Sequence, residues 1–219
     1  MCSQYFALAA VIATTINALP NHVKRDVWDP NGNIKLTFSS ATTMLGDVKI
    51  DDIFASVGDA CHTTGLCDTN DITFPGWWQA DGTGGTMGPI TVTVGPSGSY
   101  PTWIRNGLLD SLKAAVVAGA KCGDSTNIQP CVSGDETCTG PVKTVAYQCE
   151  VPAFWGIDYQ DPNAADAAPP SIAINVNQAL DDGDSVCSDM LSGIGAIAGA
   201  IDGGAGAGAL FSLLSLTCN

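Results

Sequence analysis

The sequence predicts an α+β fold: an α/β sandwich of antiparallel or mixed sheet with helices on one face, stapled by disulfides. Three observations carry that expectation. Short runs of alternating apolar and polar residues recur along the chain, as half-buried strands require. Between them lie segments whose apolar residues repeat at helical spacing. The third observation is the cysteine content, nine in the chain and eight once a leader is set aside.

Residues 1–18 read as a signal peptide. Tyr5–Ile16 is an apolar run of suitable length, and Ile16-Asn17-Ala18 offers a small-residue cleavage site. The run is too short to span a bilayer core of about 30 Å. Residues 19–25 form a propeptide ending in Lys24-Arg25, the only dibasic pair in the chain and the kind of site cut by eukaryotic Golgi proteases. Removing 25 of the 219 residues leaves 194, starting at Asp26 and carrying a net charge of −16 in place of −14. Cys2 leaves with the leader. Cys61, Cys67, Cys122, Cys131, Cys138, Cys149, Cys187 and Cys218 remain, an even set that in an oxidising compartment reads as four disulfides. A zinc site fits poorly, with no Cys-x-x-Cys pair and one remaining histidine, His62. The expected pairing closes small loops at Cys61–Cys67 and Cys131–Cys138. Cys122–Cys149 then ties a helix end to a strand, and Cys187–Cys218 staples the C-terminal unit.

The mature chain divides into a sandwich over 26–161 with two βαβ-like units, a linker over 162–170, and a third β-α-β unit over 171–219 that either joins the same sheet or stands apart. In the first unit, Ile34–Ser39 alternates as a strand. Asp47–Asp59 carries Ile50, Ile53, Phe54 and Val57 at helical spacing, with Asp47 near the positive end of the dipole. Asp71–Phe74 reads as a short strand stopped by Pro75-Gly76. The second unit opens with Ile90–Val94, the cleanest strand in the sequence, followed by a turn over Pro96–Pro101. Thr102 is placed to cap a helix to Ala120 whose face is Ile104, Leu108, Leu112, Ala115 and Val116. After a cysteine-rich loop, Val142–Val151 is a strand with Val145, Tyr147 and Cys149 on one face and Thr144, Ala146 and Gln148 on the other. The Ala-, Asp- and Pro-rich linker precedes a strand at Ile172, Ile174 and Val176. Asp181–Ser185 offers caps for a helix running through Ile201, and Leu210–Thr217 closes the chain as a strand.

Charged residues are only 14% of the chain against 45% hydrophobic, so the acidity reflects scarce cations and not a disordered acidic tail. Eight scattered Lys and Arg supply no basic footprint, which excludes nucleic acid as a partner. Catalysis has little to work with. His62 is the one base available to a hydrolytic triad, and no Gly-x-Ser-x-Gly elbow is present. Among the carboxylates, which include Glu136 and Glu150, nothing singles out a glycosidase pair. Asp181, Asp182, Asp184 and the Asp29–Asn33 segment miss the calcium-loop pattern and read as caps and turns. No metal or cofactor is expected. Trp77 and Trp78, beside the Gly-rich stretch Asp81–Gly88, are candidates for a carbohydrate or partner platform.

Met190–Leu216 carries one charge, Asp202, and spaces Gly195, Gly199 and Gly203 four apart, a close-packing pattern of membrane helices that also suits a helix packed on a sheet. With the leader, dibasic site, eight cysteines and Gly-rich apolar helix, the chain resembles the secreted killer toxins of yeasts and smut fungi and the small cysteine-rich effectors of plant-associated fungi. That resemblance implies a secreted, non-enzymatic virulence or killer protein acting on a target-cell membrane or surface protein. The rival expectations are a secreted polysaccharide hydrolase and a cell-wall carbohydrate-binding or adhesion module.

Overall fold

The computed structural model describes residues 27–28, 33–131, 140–160, 168–178 and 213–218. The leader with Lys24 and Arg25, most of the linker, Cys138, Cys187 and the segment with Gly195, Gly199 and Gly203, expected as a helix, lie outside the described residues. Eleven strands and two α-helices make up the rest. In chain order they are β1 (Val27–Trp28), β2 (Ile34–Phe38), β3 (Thr42–Gly46), α1 (Ile50–Ala60), β4 (Ile72–Gln79), β5 (Gly82–Thr83) and β6 (Met87–Ser99). A 3-10 turn at Thr102–Ile104 leads into α2 (Arg105–Gly119), followed by β7 (Lys121–Gln129), β8 (Val142–Pro152), β9 (Phe154–Tyr159), β10 (Ser171–Asn177) and β11 (Leu213–Cys218).

Two sheets result. The larger has seven strands in the order β1-β11-β2-β9-β10-β6-β4, and the smaller has four in the order β3-β8-β7-β5. All pairs are antiparallel except β11 with β2 and β5 with β7. The α+β class with helices on one face and disulfide staples is therefore the observed one. Of the strands expected to flank the helices, β2 and β4 both lie in the large sheet, with β3 of the small sheet between β2 and α1, whereas β6 lies in the large sheet and β8 in the small one, so α2 links the two sheets. The strand expected to open a third unit, β10, sits inside the large sheet between β9 and β6, which ties 171–177 to the same body as the first unit.

The large sheet alternates cleanly. Ile34, Leu36 and Phe38 of β2, Trp155 and Ile157 of β9, Ile172, Ile174 and Val176 of β10, and Val92 and Val94 of β6 are all buried. They meet Ile53, Phe54 and Val57 of α1 and the expected face of α2, Leu108, Leu112, Ala115 and Val116. Phe54 stacks on Trp155 with ring centroids 5.5 Å apart, and the Trp155 indole N–H is satisfied by the Pro152 carbonyl at 2.6 Å. Thr102 makes no side-chain cap to α2. Arg105 instead donates from Nε to the Cys61 carbonyl and from Nη2 to the Gly58 carbonyl, closing the open C-terminal end of α1.

Two prolines expected to end strands do not. β4 runs through Pro75-Gly76 to Gln79. Trp77, of the same parity as Pro75, exchanges hydrogen bonds with Asp47 on the side away from β6, so the missing Pro75 N–H falls on the strand's outer edge. β6 likewise continues through Pro96 to Ser99. The carbonyl of Gly98, of the same parity, faces Cys67, and β4 pairs with β6 only as far as Val94, so no rung is lost at Pro96.

The β4–β6 hairpin reaches over the small sheet, and a set of buried amides fastens it there. The Gln148 side chain accepts from the Gln79 N–H at 3.0 Å and donates to the Gln79 carbonyl at 2.8 Å, completing β4's edge as a neighbouring strand would. The Gln79 amide donates to the Ser125 and Thr144 carbonyls and accepts from the Thr144 hydroxyl. Asn127, fully buried, donates to the carbonyls of Ala80 and Gly85. At the junction Gly46 has φ +60°, and a Cβ there would lie 2.4 Å from the Trp77 carbonyl, so only glycine fits.

Candidate functional site

The His62 ring offers no hydrolytic machinery among the described residues. It sits in the six-residue loop closed by Cys61–Cys67, about half exposed, with Nε2 3.0 Å from Asp68 Oδ2. The buried Tyr100 hydroxyl donates to the His62 and Leu66 carbonyls and pins the loop's backbone, leaving the ring facing solvent. Burial pushes the Tyr100 phenol above its usual range. No hydroxyl or thiol completes a nucleophile–base pair with His62 among the described residues.

Several aspartates act as local fasteners. Asp47 accepts from the Trp77 N–H, Asp81 accepts from the Thr126 N–H and Ser125 hydroxyl, and Asp51 pairs with Lys113 at 2.7 Å. The Lys113 ammonium holds the Asp51 carboxyl below the usual carboxylate range. No group of three or more His, Cys, Asp or Glu able to hold a metal occurs among the described residues. The Asp181–Asp184 cluster lies outside them.

Trp77 and Trp78 do not form a joint platform. As consecutive residues of β4 they point to opposite faces, Trp77 being 42% exposed and Trp78 half-buried toward the helix side. Two disulfides are in place, Cys61–Cys67 and Cys122–Cys149. Cys122 belongs to β7 and not to a loop, directly opposite Cys149 of β8, so this bridge joins two strands instead of a helix end and a strand. Cys131 is also disulfide-bonded.

The most distinctive surface lies beside that second bridge. On β8 Thr144 and Gln148 face the hairpin while Val145 and Tyr147 face outward, 56% and 63% exposed. Val117 of α2, 52% exposed, joins Tyr147, Cys149 and the Gly46–Asp51 segment around an open groove of 260 Å³. Asp47, Lys49 and Asp51 stand on its rim, and the exposed Asp124 lies across from Tyr147 on β7. The groove is concave and floored by backbone held by a disulfide on one side and a helix start on the other. Sequence periodicity placed Val145 and Tyr147 on one face of a strand, but it gave no sign that this face is the outer one.

No helix among the described residues is long and apolar enough to cross a membrane. Comparison of the chain with protein-family models, curated proteins and solved structures gave no match, so the class of the protein rests on its own fold and surface.

Proposed function

We propose that the chain is a secreted, non-catalytic effector of the killer-toxin-like kind that acts by binding a surface protein of a target cell. The observation that carries this reading is the pair of exposed apolar side chains Val117 and Tyr147 on the 260 Å³ groove, with exposed Val145 two residues from Tyr147 on the same strand face. Large exposed apolar side chains rimmed by charge mark contact surfaces, and a rigid Tyr is a frequent energetic anchor of such contacts. The acidic rim and the overall charge of −14 favour a protein partner over an anionic bilayer. Disulfides suit an oxidising, extracellular setting.

The test is a growth-inhibition and cell-binding assay with the processed protein. Tyr147→Asp together with Val117→Asp should cut cell binding about tenfold or more while leaving the thermal midpoint unchanged. Wild-type binding by that variant sinks the reading. Leakage of dye from liposomes between about pH 4 and 7 transfers the action to the membrane, and turnover of a polysaccharide would replace the reading with an enzyme.

A further inference from the structure

The outer face of the large sheet, opposite the helices, is as regular as the core face but built from short polar residues. Strand alternation puts Asp71, Thr73, Pro75 and Trp77 along β4 on this face, with Thr91, Thr93, Gly95 and Ser97 of β6 and Asn175 and Asn177 of β10 beside them. Thr73, Thr93 and Asn177 stand in one row across three strands, and Gly95 and Asn175 stand in the next. Thr73, Thr91, Asn175 and Asn177 are exposed. At one end, Asp71, Ser97, Asn175 and Asn177 line an open groove of 330 Å³. Gly95 forms its floor: a Cβ there would meet Asp71 Oδ1 at 3.0 Å and Asn175 Cβ at 4.0 Å, so the absence of a side chain keeps the groove open between them.

Among the described residues, the side chains of Asp71, Asn175 and Asn177 make no hydrogen bond to another residue. Each amide presents a carbonyl acceptor and an NH₂ donor side by side, and Asp71 adds acceptors, the complement of vicinal hydroxyl pairs. Among the described residues lining the groove Asp71 carries the one charge, and with a chain charge of −14 it repels polyanions. Apolar ligands find nothing to bury against there. Six residues along β4, about 20 Å away, Trp77 stands 42% exposed on the same face, an apolar surface of the size of a pyranose ring.

We propose that the outer face of β4, β6 and β10 is a binding track for an extended, neutral polysaccharide strand. Asn175, Asn177 and Asp71 hold sugar hydroxyls at one end, and Trp77 stacks on a sugar ring at the other. The track shares no residue with the Tyr147 groove, so the two surfaces are separable, one holding the protein to a glycan layer and the other engaging a protein beyond it.

Sedimentation of the processed protein with insoluble β-glucan, chitin and mannan tests the proposal. Retention on one of the three is expected, insensitive to added salt because the ligand is neutral. The double variant Asn175→Ala, Asn177→Ala should weaken it about tenfold, and Trp77→Ala by a similar factor, with thermal midpoints near that of the parent. Tyr147→Asp should bind polysaccharide like the parent, which separates this track from the proposed protein contact. The proposal is overturned by no retention on any of the polymers, by retention abolished in high salt, or by equal retention of the Asn175/Asn177 variant.

Discussion

Replacing Gln148 by Leu tests whether the amide network, and not apolar packing, joins the β4–β6 hairpin to the small sheet. The Gln148 side chain is buried, as is Gln79, and it satisfies both the N–H and the carbonyl of Gln79. Leucine is close in size, so the change removes two hydrogen bonds without opening a large cavity. The Gln79 carbonyl keeps the Ser125 hydroxyl at 3.2 Å, whereas the N–H is left buried with no acceptor. An orphaned buried donor costs about 1–3 kcal/mol and the second lost bond about 1, so the variant should be less stable by about 3 kcal/mol. With a urea slope of about 2 kcal/mol per molar, the unfolding midpoint should drop by about 1.5 M at unchanged slope. The assay is equilibrium urea unfolding of the disulfide-intact protein followed by tryptophan fluorescence. Tyr147→Thr, on the exposed face of the same strand, serves as control and should stay within about 0.5 kcal/mol. A Gln148→Leu midpoint indistinguishable from that of the control refutes the reasoning.

Three further outcomes follow from the same geometry. Opening Cys122–Cys149, which spans 27 residues, by double Ser substitution should cost about 3.5 kcal/mol, and opening the six-residue Cys61–Cys67 loop about 2, so the first variant should unfold at lower urea. Burial raises the Asp158 carboxyl above its usual range, with Lys35 across the strand pair partly offsetting it. The folded state therefore holds this proton more tightly than the unfolded chain, and stability is lost as pH rises past the unfolded value near 3.8. Asp158→Asn should accordingly be more stable than the parent at neutral pH, the difference closing in acid; thermal melts across that range would read it, and a variant equally stable at every pH argues against it. Finally, with a sequence pI near 4.1, light scattering should show self-association as pH falls from neutral toward that value, and unchanged scattering would count against charge repulsion as the solubilising force.

The helices were legible because their signal is local. Ile53, Phe54 and Val57, or Leu108, Leu112 and Val116, repeat at 3.6 residues whatever they pack against, and all are buried as that repeat demands. The same holds for β2, β10 and the core of β6, where one apolar face meets one core. β7, with the sequence Lys-Cys-Gly-Asp-Ser-Thr-Asn-Ile-Gln, carried no such signal, since its inward contacts are hydrogen bonds to the hairpin, through Asn127 above all. β3 and β9, buried on both faces along much of their length, lack the apolar–polar alternation that marks β2, and Pro75 and Pro96 were misread as stops because which side of a strand its N–H faces depends on the neighbouring strand.

Function divides along the same line. By itself the sequence determined the disulfide-stapled α+β class and the scarcity of cations, and it set His62 apart as the one histidine beyond the dibasic pair. Tertiary structure alone decided that Trp77 and Trp78 part to opposite faces, that Val145 and Tyr147 look outward beside a groove, and that Asn175 and Asp71, distant in sequence, line one polar track. Periodicity along a chain records that a residue has a face. Whether that face meets a core, solvent or another sheet depends on strand order and register, and these arise from pairings between residues far apart in the chain.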